Sequence, residues 1–346
     1  MKTLPEIRER VDLTPHNSLA IAASARYFAR ITHREQVGAT LAWADEKNLP
    51  VLIVGGGSNL VFRADIDGLV VHMALAGRHW RDISIESATL VLGAGENWHD
   101  AVLYAARSGY RGIENLALIP GTCGAAPFQN IGAYGVELAD TLVCVTAFDR
   151  SSGKPVTLSA EACNFAYRDS LFKQQPERYL ILDVHLRLSR SRPFQLGYGE
   201  LAAYFGDTPV AKLNAEDVAE AVMAVRRRKL PDPQRLPNAG SFFKNPVVSQ
   251  NVFEQLQSRF SDLVAYPLQH GQSVKLAAGW LIEQCGWKGY RNKWVGVHNR
   301  QALVLINHGG GSGAQLLALA QEIRESVQAR FGVELEQEPL TQPAID

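Results

Sequence analysis

Across 346 residues the chain has only four cysteines, Cys123, Cys144, Cys163 and Cys285, far apart and never as C-x-x-C. That spacing excludes a cysteine zinc site and a disulfide framework, and it fits a reducing compartment. Net charge is also missing, because 35 basic residues cancel 35 acidic ones. No broad electrostatic footprint is left for nucleic acid or an anionic membrane, so any anionic ligand must be met by local groups. No apolar run approaches the length of a membrane span. The start, MKTLPEIRERVDLTPHNS, is charged and proline-punctuated and lacks the apolar core of a secretory signal. A soluble cytoplasmic protein is expected. Three common catalytic signatures are absent too. No G-x-S-x-G elbow occurs, and the nine histidines form no triad pattern. In VLIVGGGSNLVF, residues 51–62, Leu60 stands where a dinucleotide fingerprint needs its third glycine, and a strand rather than a helix follows. In HGGGSG no Gly-Lys-Ser/Thr appears, which removes a phosphate loop.

What is present is a chain long enough for two or three domains, 46% hydrophobic, with short β-rich runs alternating with amphipathic helices. Residues 34–48 carry Val37, Leu41 and Ala44 at helical spacing before Pro50, and 51–54 reads as a buried strand. TLVLGAGENWHDAVLYAARSGYRGIENL predicts strand, glycine turn and helix; TLVCVTAFDRSSGKPVTLS predicts a hairpin turning at Ser151, Ser152 and Gly153; YLILDVHLRL is another strand. Near residue 200 the character changes. Asn214 caps a helix ending in Arg226, Arg227, Arg228 and Lys229 before Pro231, basic residues that suit a helix C-terminus. A helix over 274–285, a strand over 301–307 and a helix from Ala314 to Phe331 capped by Ser312 complete an α+β pattern.

Two glycine-rich stretches stand out. Gly55, Gly56, Gly57, Ser58 and Asn59 form the first; the second, residues 118–138, reads LIPGTCGAAPFQNIGAYGVEL. Backbone N–H groups in such loops cradle a diphosphate, and small residues let a flat ring approach, so FAD satisfies both; two ordinary loops remain the alternative. NAGSFFKNP, residues 238–246, sets Ser241 beside two phenylalanines. A weakly acidic hydroxyl against apolar rings suits donation of one proton to a carbanion, although a polar turn reads the same run. Arg168 in FAYRDSLFK offers a planar fork for a carboxylate, or a partner for Asp169. VELEQEP places Glu334, Glu336 and Glu338 on one strand face.

These runs, with RKLPDP, SVKLAAGWLIEQCG and QALVLIN in the same order, make the chain resemble the bacterial UDP-N-acetylenolpyruvoylglucosamine reductases, the MurB flavoenzymes of peptidoglycan synthesis, in their longer type I form. The resemblance runs from HNSLAI to LEQEP. It implies a two-subdomain FAD-binding domain of the vanillyl-alcohol oxidase (PCMH) type over 1–205, divided near residue 70, and a smaller α+β substrate domain over 206–346, with a last strand near 333–339 returning to the active site. It implies that NADPH reduces the flavin and that hydride then passes to C3 of the enolpyruvyl group of a UDP-sugar, so that an enolate develops at C2. Electrostatic stabilisation of that charge falls to Arg168 and a protonated Glu338, and the proton for C2 comes from Ser241.

By the same resemblance, Gly55, Gly56, Gly57, Ser58, Asn59, Gly121, Gly124 and Gly132 hold FAD. Tyr198 covers the uridine, Lys229 and Asn245 meet the diphosphate, and Tyr134 and Gln301 surround the sugar. No metal, membrane or nucleic acid is implied, and a monomer is expected. The chain departs from relatives in two places. Ala125 and Ala126 replace serines of the second flavin loop, and Glu338 is followed by Pro339 with no nearby arginine. The enzymatic rival is an FAD-dependent oxidase of the same fold acting on an alcohol or sugar; a catalytically silent flavin-binding protein is the rival from another class. RKLPDP, NAGSFFKNP and the terminal glutamate speak against the oxidase, and the joint presence of Arg168, Ser241 and Glu338 against the silent protein.

Overall fold

The computed structural model describes residues 4–268 and 273–344. The chain divides into two compact units, one of residues 1–11, 25–57 and 66–228, the other of 12–24, 58–65 and 229–346.

Two large sheets and a two-stranded pair, Gly132–Ala133 with Val136–Glu137, build the first unit. In one, Ile7–Asp12, Ser24–Ile31, Ile66–Met73 and Val51–Val54 lie side by side in that order, the last three parallel. Helix Glu35–Glu46 lays Val37, Leu41 and Ala44 on a core with Ala29, Ile31, Leu69 and Val71, which is why its apolar residues recur at helical spacing. The other sheet is antiparallel, in the order Lys154–Ser159, Leu142–Asp149, Tyr179–Ser189, Ser87–Gly93 and Arg78–Arg81. Helix Trp98–Arg107 begins on Asn97, whose side chain accepts the Asp100 N–H.

The expected boundary at 205/206 moves to 228/229. Helix Ala215–Lys229 buries Val218, Ala219 and Val222 in the same core as Ala101, Val102 and Ala105, so its apolar face ties it to the first unit.

In the second unit, Asn238–Ser241, Val304–Asn307 and Val295–Val297 form one sheet, and Val247–Ser249, Ser273–Leu276 and Ala265–Pro267 another. Three sequence expectations shift here. The helix expected from Val274 starts at Ala278, because Ser273–Leu276 is paired on both edges. The strand expected from Gln301 starts at Val304, after a turn closed by the Val304 N–H on the Gln301 carbonyl. The terminal strand expected near 333–339 is Leu340–Gln342, paired parallel with Leu60–Phe62. NAGSFFKNP is likewise no polar turn, since it opens as a strand and buries both phenylalanines. Among the described residues no helix is long and apolar enough to cross a membrane.

Candidate active site

The first unit brings the two glycine loops together. A Cβ on Gly55 would lie 2.3 Å from Thr122 Oγ1, and one on Gly56 would lie 2.9 Å from Gly121 Cα. Gly57 and Gly121 have φ of +63° and +118°, a backbone region costly for any residue with a Cβ. The GAGENW turn pins the second loop from behind: Trp98 N–H donates to the Gly121 carbonyl, Cys123 N–H to that of Glu96 and Gly124 N–H to that of Ala94. Gly124 has no room for a side chain, since its Cβ would stand 2.5 Å from Ala94 Cβ.

Around these loops, Thr122 Oγ1 and Asn115 Oδ1 are sealed from solvent and meet no hydrogen-bond partner. Buried polar atoms are rarely left so, because each costs about 1–3 kcal/mol. A cradle without side chains, flanked by orphaned hydroxyl and amide oxygens, fits a large polar cofactor such as FAD.

The same unit gathers Gly132, Tyr134, Arg168 and Tyr198. Arg168 Nη2 donates to the Gly132 carbonyl at 3.0 Å, and Lys173 Nζ holds the Arg168 carbonyl at 3.0 Å. The Asp169 carboxylate takes Gln174 Nε2 and the Ser170 N–H. Tyr134 and Arg168 both sit at left-handed φ, +50° and +56°. Such strain persists only where surrounding contacts enforce it, and it concentrates at functional sites. The Tyr134 carbonyl is held by Asn115 Nδ2 at 2.9 Å, and its ring meets that of Tyr198 edge-on at 5.2 Å. Tyr198 is itself exposed, just ahead of the short helix Gly199–Phe205.

Arg226 is the residue that sequence reasoning missed. Read as one of three basic residues suiting a helix end, it instead turns into the unit, hydrogen-bonded to the Tyr134 hydroxyl, while Arg227 and Arg228 are exposed. Burial pushes its guanidinium below the ordinary value, the Tyr134 hydroxyl works the other way, and the Arg168 charge adds to the lowering. Its Nε is sealed and meets no acceptor. The Tyr134 hydroxyl is pushed up by burial and pulled down by Arg226. The only available signal was position: Arg226 falls on the helix face of Val218 and Val222, eight and four residues earlier.

The second unit gathers Ser241, Glu338, Asn245, Gln301 and Asn59. Ser241 faces Val304 in its sheet, and Gln301 Oε1 lies 3.4 Å from the Leu303 N–H two residues on. The Glu338 N–H donates to the Phe242 carbonyl at 2.9 Å, which puts the glutamate beside the residue that follows Ser241. Asn245 Oδ1 accepts the Ala278 N–H at 3.0 Å, at the start of helix Ala278–Gln284. Of the acidic row, Glu334 pairs with Arg324 and Glu336 with Lys244, both exposed at the surface, whereas Glu338 is half-buried. Lys229 ends its helix half-buried.

Residues 25–159 match the FAD binding domain family, and residues 232–341 match the C-terminal domain of UDP-N-acetylenolpyruvoylglucosamine reductase. The chain is 50% identical over 334 residues to the UDP-N-acetylenolpyruvoylglucosamine reductase of Pseudomonas aeruginosa, covering 96% of this chain and 98% of that protein. It is 47% identical over 329 residues to that of Ralstonia nicotianae, covering 94% and 96%. The chain belongs to the UDP-N-acetylenolpyruvoylglucosamine reductase family.

Reductases of this family use FAD with NADPH, and this chain is an oxidoreductase of that kind. The MurB of Thermus caldophilus shares its fold, with a TM-score of 0.67 at 24% identity over 98% of this chain and all of that one. 6-Hydroxy-D-nicotine oxidase from Arthrobacter nicotinovorans shares the fold more loosely, with a TM-score of 0.55 at 14% identity over 96% and 88%. The α+β flavoprotein fold is therefore common to reductase and oxidase. The reductase C-terminal match over 232–341 is what separates them here.

Proposed function

We propose that the protein reduces UDP-N-acetylglucosamine enolpyruvate to UDP-N-acetylmuramate, as a monomer in the cytoplasm, with Ser241 as proton donor to C2 and Arg168 and Glu338 as stabilisers of the developing enolate. The chemistry that bound FAD would supply is hydride transfer from NADPH to C3 of the enolpyruvyl group. Gly55, Gly56, Gly57, Ser58, Asn59, Gly121, Gly124 and Gly132 would hold FAD, and the buried Thr122 hydroxyl would offer a hydrogen bond where Ala125 and Ala126 have none.

The observation that carries the reading is the adjacency of Ser241 and Glu338. The main-chain bond from Glu338 to Phe242 brings a hydroxyl and a carboxyl onto neighbouring extended segments, beside the buried rings of Phe242 and Phe243. Arg168 supplies a fixed positive charge and a planar donor fork suited to the substrate carboxylate. Tyr198 and Tyr134 present rings to uridine and sugar, and Gln301 presents an amide to the sugar. Lys229 meets the diphosphate, as does Asn245, whose Oδ1 is already engaged, leaving its NH2 to donate.

Stopped-flow measurement of the two half-reactions tests the assignment. Ser241→Ala should keep reduction by NADPH, which needs no proton at C2, while reoxidation by the enolpyruvyl substrate slows by roughly two to four powers of ten. Ser241→Cys should regain part of that rate. Equal slowing of both half-reactions would reduce Ser241 to a ligand-positioning or structural residue.

A further inference from the structure

The chain changes partners at Glu338. Before it, the segment runs antiparallel to residues 242–244: Lys244 N–H donates to the Glu336 carbonyl, Phe243 bridges Gln337, and Glu338 N–H donates to the Phe242 carbonyl. After it, Leu340–Gln342 pairs parallel with Leu60–Phe62. The switch falls on Pro339, which has no N–H to donate, so neither ladder continues through it.

Asn59 spans that gap from both sides. Its side-chain Nδ2 donates to the Glu338 carbonyl at 3.3 Å, and its own carbonyl accepts the Leu340 N–H at 2.9 Å. On the other side of Pro339, Gln337 Nε2 closes back onto the Pro339 carbonyl at 2.6 Å and onto Thr341 Oγ1 at 3.1 Å. Glu338 thus has its N–H fixed by Phe242 and its carbonyl by Asn59, with little freedom left for the backbone that aims its side chain. A carboxyl misplaced by about 1 Å loses much of its effect on a transition state, because electrostatic stabilisation depends on preorganisation.

We infer that Asn59 is a positioning residue for Glu338, clamping the proline junction that carries the carboxyl, in addition to belonging to a loop expected to hold the flavin. The inference deepens the proposed mechanism and rests on its assignment of Glu338. It also gives Pro339 a physical context: where the proline interrupts main-chain pairing, a side-chain amide takes over.

The test is a double-mutant cycle on the FAD-loaded full chain, with Asn59→Ala and Glu338→Gln read by stopped flow. Asn59→Ala should slow flavin reoxidation by the enolpyruvyl substrate roughly tenfold more than it slows reduction by NADPH, the scale of one lost hydrogen bond, because any disturbance of the flavin itself acts on both half-reactions. Added to Glu338→Gln it should cost almost nothing more, since a clamp has no value once its cargo is gone. Asn59→Ser, which restores a donor, should recover part of the rate and keeps the test alive should the alanine variant retain too little FAD. Equal slowing of both half-reactions, or additive losses in the double variant, would make Asn59 a flavin-loop residue only. An unchanged reoxidation rate in both Asn59 variants would remove the clamp while leaving Glu338's role standing. No effect of Glu338→Gln alone would instead overturn the catalytic assignment of Glu338 and, with it, the purpose of the clamp.

Discussion

Arg226 shows how one residue can be bound by competing demands. Its guanidinium is pulled from solvent, its charge disfavoured by burial and by Arg168, and its Nε left without an acceptor. A buried cation so poorly compensated is a net cost to folding unless an anion completes it. The bonded Tyr134 hydroxyl is neutral and offsets only part of that cost. An anionic ligand at the Tyr134–Arg168 cluster would offset that cost, and the UDP-sugar of the proposed function carries such charge. Arg226→Met, which keeps the volume and removes the charge, should leave the melting temperature unchanged or raised. The same variant should weaken substrate binding by roughly 10- to 100-fold, the value of one charge-assisted hydrogen bond. Calorimetric titration and a thermal melt on the same preparation check both halves. A variant that melts much lower and binds normally would make the arginine purely structural.

At the scale of elements, the helix Gly313–Phe331 and the strand Leu60–Phe62 are in closer contact than side chains permit. A Cβ on Gly313 would stand 2.0 Å from the Phe62 carbonyl oxygen and 2.7 Å from its carbon. Both are backbone atoms in the strand that pairs with Leu340–Gln342, so relief would have to come from shifting that strand. The other end of the helix sets a contrast. Gly332 holds φ at +68° with nothing near its Cβ position, so alanine there meets only backbone strain, about 1–2 kcal/mol. Gly313→Ala should therefore destabilise the fold by roughly 3 kcal/mol, more than Gly332→Ala, and lower the urea midpoint further, since overpacking against backbone lies at the upper end of its range. Equal midpoints would mean that the helix slides freely on the strand.

For the whole molecule, the histidines set a pH dependence. His99, His185, His298 and His308 all have pKa values lowered below the ordinary imidazole value, with burial the largest cause at each. His99 is also committed as an acceptor, its Nδ1 taking the Leu118 N–H at 3.0 Å where the second glycine stretch begins. Below the unfolded value near 6.5 the unfolded chain binds more protons than the folded one, so stability present above that pH declines as pH falls toward the lowered folded values. Glu114 pulls the other way at lower pH, because burial raises its carboxyl. Urea midpoints should fall between about pH 7.5 and pH 5.5, and His99→Gln should flatten part of that slope. A midpoint that is flat or rises over this interval would contradict the shared direction of the four shifts.

The sequence by itself determined the class of this protein. The loops of residues 55–59 and 118–138 stood out as tight turns because glycine at such turns is a local requirement, legible without knowing what packs there. Helix 35–46 and the long hairpin were equally legible, since amphipathic period and turn chemistry act over a few residues. Tertiary structure decided what depends on distant partners. It moved the domain boundary past Arg228, because the core shared by Val218 and Ala101 joins residues more than a hundred apart in the chain. It turned Val274–Leu276 from helix to strand by pairing on both edges, and it delayed the terminal strand until Pro339 had been passed. It also separated Arg226 from Arg227 and Arg228, three residues identical in sequence whose environments differ only because a helix has one buried face.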